Sequence, residues 1–359
     1  MKKICILSAV NIKHMSLISL YTEKLIKDNI YFDIIYMDKY GEEEAFCSQN
    51  KYVFKNIIDK KLHPIVKVIK YFKFKKFAIN VLEKNKYDFI IVWNDLAIFI
   101  FARYLSKKWK NKYCLNIRDY CAQDKWPFKN RYKRVIKSSA FATISSDGYN
   151  KFLPSYPYIH VHSLNTQILK EEFKRKDINI TTPIKITFVG NIRFYDINKK
   201  IINLFGNDNR FELHYYGTNA KLLYEYAEQN GINNLIFKDS FPIEDTNKYI
   251  KNSDIINNIY GSNKKSLDYA LSIKLYHGVY NYIPLLVNEG TYMAEIIKKY
   301  NIGFIVKELN ETTKEDIYNW YTNIKFEDFK INADRFMEKI IKDNTEFEKK
   351  YLTHIGKNM

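Results

Sequence analysis

The sequence predicts an α/β protein made of two successive parallel-sheet domains and a helical tail. Three observations carry this: a length of 359 residues, short apolar runs alternating with longer helical patterns, and one polar break near the middle. A chain of this length exceeds one ordinary core and suits two domains of about 100–200 residues each. β-Rich runs alternating with amphipathic helices are the pattern of parallel α/β architecture. The break, "SLNTQILKEEFKRKDINITTP", ends at Pro183 and is followed by a fresh strand, "IKITFVG". It divides the chain into a first domain over 1–165, a linker over 166–183, a second domain over 184–330 and a tail over 331–359. The tail is expected to pack back on the first domain.

In the first domain, strands are predicted at Lys3–Ala9, Tyr31–Met37, Phe89–Trp93, Tyr113–Ile117, Ala140–Ser145 and Tyr158–His162. Runs this continuously apolar suit a sheet covered on both faces. After the first of them, "MSLISLYTEKLIKDN" sets Met15, Ile18, Tyr21 and Leu25 on one face at helical spacing. The second domain repeats the alternation at Lys185–Val189, Phe211–Tyr216, Asn234–Phe237, Asp254–Asn257, Leu285–Val287 and Gly303–Val306. From Phe326 onward the pattern is helical with no strand. No solenoid repeat is present.

Composition narrows the function classes. The most apolar window, Phe89 to Leu105, is broken by Asn94, Asp95 and Arg103, so no membrane-crossing helix is expected. The opening "KKICILSAV" reads as a first strand rather than a signal peptide, so a cytoplasmic chain is expected. Cys5, Cys47, Cys114 and Cys121 have neither CxxC nor Cys/His spacing, so they read as free thiols, with no metal expected. The net charge is +18 and is unevenly spread. Residues 1–165 hold 30 Lys+Arg against 14 Asp+Glu, or +16; the rest hold 28 against 26, or +2. A positive first half favours an anionic partner, either nucleic acid or anionic lipid.

Three stretches of the second half carry the chemistry. "IKITFVG" ends in Gly190, where a glycine lets the backbone approach a phosphate, and the loop beyond offers Arg193, then Lys199 and Lys200. "FELHYYG" places Tyr216 and Gly217 at the end of the next strand. "SIKLYHGVYNYIPLLVNEG", Ser272 to Gly290, runs from a helix carrying Lys274 and His277 through Pro284 and an apolar strand to Glu289, Gly290 and Thr291.

This order of parts resembles the carboxyl-terminal, nucleotide-sugar-binding domain of GT-B glycosyltransferases, especially bacterial polysaccharide enzymes of the glycosyltransferase 4 type. The resemblance covers about residues 184–307; the first half agrees in layout more than in motif. It implies two Rossmann-like domains facing a central cleft, a sugar nucleoside diphosphate donor and no metal. The charge of the departing diphosphate would then be met by Arg193, Lys274 and the helix start after Gly290 and Thr291. The implied donor-binding set is Gly190, Arg193, Lys199, Tyr216, Gly217, Lys274, His277, Glu289, Gly290 and Thr291. One departure stands out. Many retaining members carry two glutamates eight positions apart, and here those positions hold Tyr269 and His277. Two readings of His277 stay open, a ligand of the ribose or an ordinary histidine of its helix, and so does the stereochemical outcome.

In the first half, "YCLNIRDYC" ends a strand in Arg118 and Asp119, where retaining relatives often carry a histidine. A carboxylate there suits the base that an inverting transferase needs, and it equally suits a surface pair or a helix cap. Asn11, Lys13 and His14, in the loop after the first strand, are further candidates, His14 being the one with catalytic chemistry. Within "KKLHPIVKVIKYFKFKKFAINVLEKNK", Phe72 and neighbouring apolar residues interleave with Lys67, Lys70, Lys73, Lys75 and Lys76. A second cluster, "KWPFKNRYKRVIK", sets Trp126 beside Arg131 and Arg134. Such a surface suits an anionic membrane interface, and an ordinary helix with solvated lysines has the same composition. The resemblance adds a polyprenyl-linked glycan acceptor, peripheral attachment to the inner face of the cell membrane, and a role in capsule, exopolysaccharide or O-antigen assembly. A dehydrogenase is disfavoured because neither domain opens with G-x-G-x-x-G. A nucleic-acid-binding protein is the rival from another class, though no helix-turn-helix, RNP or zinc signature occurs. A sugar-nucleotide epimerase of the same fold is a third reading.

Overall fold

A computed structural model describes residues 2–15, 17–57, 63–164, 183–242 and 245–356. The chain divides into two units, one of Met1–His162 with Lys342–Met359 and one of Ser163–Ile341. The polar break at 165–182 lies outside the described residues.

The first unit is built on seven strands: β1 (Ile4–Ser8), β2 (Phe32–Asp38), β3 (Lys51–Lys55), β4 (Phe89–Trp93), β5 (Tyr113–Ile117), β6 (Phe141–Ile144) and β7 (Ile159–His160). All pair in parallel in the order β3-β2-β1-β4-β5-β6-β7. In β1, Ile4 lies opposite both Phe32 and Phe89. Every residue of β1, β2, β4, β5 and β6 is buried, which is why these strands read as nearly continuous apolar runs, with Asp33, Asp38 and Asn116 among the buried polar exceptions. β3 was not expected from sequence. It is a half-exposed edge strand with lysine at each end, so it lacks the apolar signature of an interior strand.

Helices α1 (Ser19–Lys27), α2 (Pro64–Asn85), α3 (Asp95–Lys108) and α4 (Phe128–Lys137) connect these strands. The expected face of α1 is real, with Met15, Tyr21 and Leu25 buried, but the helix begins at Ser19. Leu17 has a left-handed φ of 65°, which a helix cannot continue through, and Ile12–His14 forms a separate short turn.

The second unit repeats the plan with β8 (Ile184–Val189), β9 (Phe211–Tyr216), β10 (Leu235–Lys238), β11 (Ile255–Asn258), β12 (Leu285–Asn288) and β13 (Gly303–Val306). Their order is β10-β9-β8-β11-β12-β13, again all parallel. The helices are α5 (Tyr195–Phe205), α6 (Ala220–Gln229), α7 (Thr246–Lys251), α8 (Lys265–Asp268), α9 (Ile273–Tyr280), α10 (Tyr292–Tyr300), α11 (Glu311–Thr322) and α12 (Phe326–Ile355). Two apolar clusters form its core, one around Phe205, Phe211 and Leu223, the other around Leu275, Val279 and Phe336. The strand order reverses between β8 and β11, and open parallel sheets bind ligands at the carboxyl ends of strands beside such a switch.

Helix α12 serves both cores. Phe329, Ala333, Phe336 and Ile340 fill the second unit. Beyond Lys342, Phe347, Tyr351, Leu352 and Ile355 fill the first, where the Tyr351 hydroxyl donates to the Tyr21 carbonyl at 3.0 Å and Lys24 pairs with Glu348 at 2.8 Å. Among the described residues no helix is long and apolar enough to cross a membrane.

Candidate functional site

Two glycines open the site. Gly190 follows β8 with φ 123°, and Gly217 follows β9 with φ 131°. A Cβ on Gly217 would stand 2.2 Å from the Gly190 carbonyl oxygen, so glycine there lets the two loops touch; a Cβ on Gly190 would meet nothing within 4 Å. Both amides are already committed, Gly190 to the Tyr216 carbonyl and Gly217 to the Lys238 carbonyl, each at 2.8 Å. The glycines therefore shape the wall rather than present N–H groups to a ligand.

A cavity of about 370 Å³ lies beside them, lined by Gly190, Asn191, Arg193, Gly217, Thr218, Thr246, Tyr260, Ser272, Lys274 and His277, with Phe188 and Phe241 among its apolar walls. Its far side is the start of α9. Ser272 caps that helix, its hydroxyl accepting the Lys274 N–H at 3.3 Å. Lys274 is only 7% exposed, and among the described residues its ammonium has no hydrogen-bond partner. The ammonium lies 3.5 Å from the centre of the Phe188 ring and 4.6 Å from that of Tyr260, so aromatic faces replace the carboxylate a buried cation usually finds. Burial, and then the charge of Arg193, hold its proton affinity well below the ordinary lysine value.

Tyr260 is fixed from behind. The Asn288 side-chain oxygen accepts its N–H at 2.9 Å and that of Gly261 at 2.8 Å. Burial pushes the Tyr260 hydroxyl up to about 12, against the Ser272 hydrogen bond and the Arg193 charge, so it stays protonated. His277 is buried at 7% exposure and lines the same wall one turn beyond Lys274. The cavity thus joins two cations, an imidazole and hydroxyl groups over an aromatic floor.

The other residues of the expected donor set lie elsewhere. Lys199 places its ammonium 4.7 Å over the Tyr226 ring, away from the lining. The Tyr216 hydroxyl hydrogen-bonds to His214 Nδ1 at 2.9 Å and its ring packs against that of Tyr249 at a tilt. Glu289 and Gly290 are exposed after β12, with Glu289 3.9 Å from Lys307. Thr291 caps α10, accepting the Ala294 N–H at 3.2 Å and donating to the Asn288 carbonyl at 2.8 Å. Asn288 therefore ties the Thr291 turn to the Tyr260 wall. Phe188, Tyr260, Ser272 and Thr246 escaped the sequence reading; only Ser272, one residue ahead of a helical pattern, offered a signal.

In the first unit, Asp119 stands exposed just past the carboxyl end of β5. Buried Asp95, at the start of α3, accepts the N–H groups of Arg118 at 3.4 Å and Asp119 at 3.2 Å, and the Gln123 side-chain amide at 2.7 Å. The Arg118 carbonyl accepts the Tyr149 hydroxyl at 2.6 Å. Burial raises the Asp95 carboxyl to about 7. His14 is exposed and contacts the Tyr40 hydroxyl at 3.0 Å, in a loop held by Glu44, which accepts the Ile12 and Lys13 N–H groups. On α2, Lys73 and Lys76 are exposed, Lys67 and Lys75 partly buried, and Lys70 reaches the Ile57 carbonyl. Phe72 is 71% exposed and Trp126 87%. The four cysteines are free. One feature without a sequence signature joins β7 to α12: His160, His162 and Asp343 each bring one ligand-type atom within 4.8 Å of the others, the two rings stacking at 3.7 Å.

No family model matches the chain, and no curated protein matches it in sequence. Solved structures match over nearly its whole length. Sucrose-phosphate synthase from Thermosynechococcus elongatus aligns with a TM-score of 0.71 at 8% identity, covering 98% of this chain and 99% of its own. Anabaena HepE in complex with UDP aligns at 0.68 and 10% identity, covering 97% and 99%. WaaG, a glycosyltransferase involved in lipopolysaccharide biosynthesis, aligns at 0.61 and 10%, covering 99% and 100%. At such identities the likeness defines the fold: two Rossmann-like units, the GT-B architecture.

Proposed function

We propose that this protein is a glycosyltransferase that takes a sugar from a nucleoside diphosphate donor bound in the cavity of the second unit. The observation that carries this reading is the meeting of Arg193 and the buried ammonium of Lys274 in one cavity beside the β8–β11 switch. With two cations and, among the described residues, no carboxylate in its lining, this apolar-floored cavity suits an anion. The fold neighbours support a nucleotide as that anion, since HepE is described with UDP and with UDP and glucose.

In this reading the bond from the anomeric carbon to the diphosphate breaks, the leaving oxygen keeps the electron pair, and Arg193 and Lys274 meet its charge without a metal ion. The acceptor hydroxyl attacks the anomeric carbon and its proton passes to Asp119. The acceptor is a polyprenyl-linked glycan at the inner face of the cell membrane, used in surface polysaccharide assembly. WaaG's described role in lipopolysaccharide synthesis and the positive first half support that choice.

A thermal-shift panel of UDP, GDP, CMP and dTDP sugars, each with magnesium or EDTA, tests the reading. One nucleotide should stabilise the protein equally in both conditions and lose its effect in Arg193→Ala. Indifference to every nucleotide would remove the donor site, and a shift seen only with magnesium would remove metal independence.

A further inference from the structure

A second cavity, of about 490 Å³, lies in the first unit among three successive helices. It is lined by Lys75 of α2, Arg103 and Lys107 of α3, and Arg131 and Arg134 of α4, with Phe72 and Phe99 as apolar walls. Among the described residues no carboxylate lines it. Among the described residues, none of these five cations forms an ion pair. The Arg131 guanidinium lies 5.0 Å over the Phe99 ring instead. Lys75 is held below the ordinary lysine range by burial and then by Arg131 and Arg103, the mark of cations crowded together without a counter-charge.

What borders this cavity narrows the anion. Phe72 is 71% exposed, and Ile65, Val68 and Ile69 on the same helix are 63%, 64% and 51% exposed. The spacing from Ile65 through Val68, Ile69 and Phe72 to Lys75 follows one stripe of α2, so the apolar row leads into the charged cavity. Trp126, 87% exposed, stands just ahead of α4, which brings Arg131 and Arg134. Free phosphate would match the cations and leave this row in water. A nucleic acid backbone would leave the aliphatic side chains unmatched. An amphiphile with a phosphate beside hydrocarbon matches both parts.

We propose that Lys75, Arg103, Lys107, Arg131 and Arg134 form a headgroup pocket for an anionic phospholipid, with the exposed row of α2 and Trp126 entering the adjoining acyl layer. This deepens the membrane part of the proposed function by fixing which helices touch the bilayer. It brings in Arg103 and Lys107, which no sequence pattern singled out, and leaves Lys73 and Lys76 outside the pocket.

The test measures lipid binding alone, so its outcome is separate from that of the nucleotide panel. The full chain is sedimented with phosphatidylcholine vesicles and with vesicles in which about 30% is phosphatidylglycerol. Partitioning should be at least about tenfold stronger on the anionic vesicles, and should drop about tenfold in Arg103→Ala/Arg134→Ala. The control Lys27→Ala/Lys349→Ala removes the same charge from exposed sites outside the pocket and should stay within about twofold of the parent. Phe72→Ser should weaken vesicle binding while leaving the cations in place, which keeps a readout if the arginine pair fails to fold by circular dichroism. Inorganic phosphate at millimolar concentration should not displace the protein. Equal losses in both double variants, equal binding to both vesicle types, displacement by phosphate, or tighter binding to a single-stranded oligonucleotide through the same arginines would each overturn the proposal.

Discussion

The ammonium of Lys274 sits 3.5 Å from the centre of the Phe188 ring, buried and, among the described residues, without a hydrogen-bond partner. A cation–π contact offsets only part of the loss of water, so the ligand-free protein carries an unfavourable group in the wall of its cavity. Methionine keeps the length and apolar stem of lysine without the charge. Lys274→Met should therefore stabilise the ligand-free protein by about 1–3 kcal/mol. For a domain of this size that is about 2–4 °C in melting temperature per kcal/mol. The same variant should lose all stabilisation by nucleoside diphosphates. A lower melting temperature would show that the amine contributes to folding, and the cavity would lose its strongest claim to be an anion site.

The pH dependence of Lys274 has a definite sign. Its folded-state proton affinity is depressed, while the unfolded chain keeps the ordinary value near 10.4. Between those two values the unfolded state binds the proton and the folded state does not, so this group's contribution to stability rises with pH through that window. Below the depressed value it is flat. A bound diphosphate reverses the environment and draws the proton back. Nucleotide binding above the depressed value should thus be accompanied by proton uptake and weaken as pH rises. Calorimetry in two buffers of different ionisation enthalpy would reveal the uptake, and Lys274→Met should show none.

Most of the fold was legible because interior parallel strands are apolar on both faces and announce themselves as nearly continuous runs. β3 was not, since an edge strand such as Lys51–Lys55 needs no such run. The start of α1 was missed because periodicity reports which residues face the core and is blind to a left-handed residue like Leu17. At the site, Arg193 was legible as a cation in the loop after a strand and Lys274 as one on a helix leading to the next, and the structure brings them to one cavity. Lys199 has the same chemistry, yet its ammonium settles over Tyr226, a choice set by the separate helix α6. Phe188 and Tyr260 were invisible because a strand aromatic and a loop tyrosine usually mean core and surface. Only tertiary packing puts their faces beneath a buried amine.

The two loop glycines should differ in cost. Both have positive φ, so alanine at either brings backbone strain of about 1–3 kcal/mol. At Gly190 the added methyl meets open space, and strain is the whole effect. At Gly217 it would also strike the Gly190 carbonyl oxygen, 2.2 Å away, forcing the two loops apart. Gly217→Ala should therefore destabilise clearly more than Gly190→Ala in urea unfolding and should weaken nucleotide binding as well. Equal midpoints for the two variants would show that the loops separate freely.

Asp95 supplies the last prediction, because it holds the backbone that carries Asp119. Its carboxylate accepts two consecutive N–H groups, those of Arg118 and Asp119, on one oxygen and the Gln123 amide on the other. Gln123 cannot simply turn over, since its own oxygen accepts the Cys121 N–H at 2.6 Å and its nitrogen also donates to the Asp119 carbonyl at 2.8 Å. An asparagine amide at position 95 would set one donor against another, loosening the loop that presents Asp119. The buried carboxyl titrates at about 7 in the folded state against about 3.9 in the unfolded chain. Between these values the folded state holds the extra proton, so this group's contribution is full below the unfolded value, falls as pH rises and is lost above about 7. Asp95→Asn should flatten that part of the stability profile. In the enzyme as proposed, it should lower kcat and remove the inflection near neutral pH while leaving nucleotide affinity within about twofold. Asp119→Asn should instead abolish transfer at every pH with nucleotide affinity unchanged. That contrast separates a residue that positions the loop from one that takes the acceptor proton, and full transfer by Asp119→Asn would dismiss Asp119 from the chemistry.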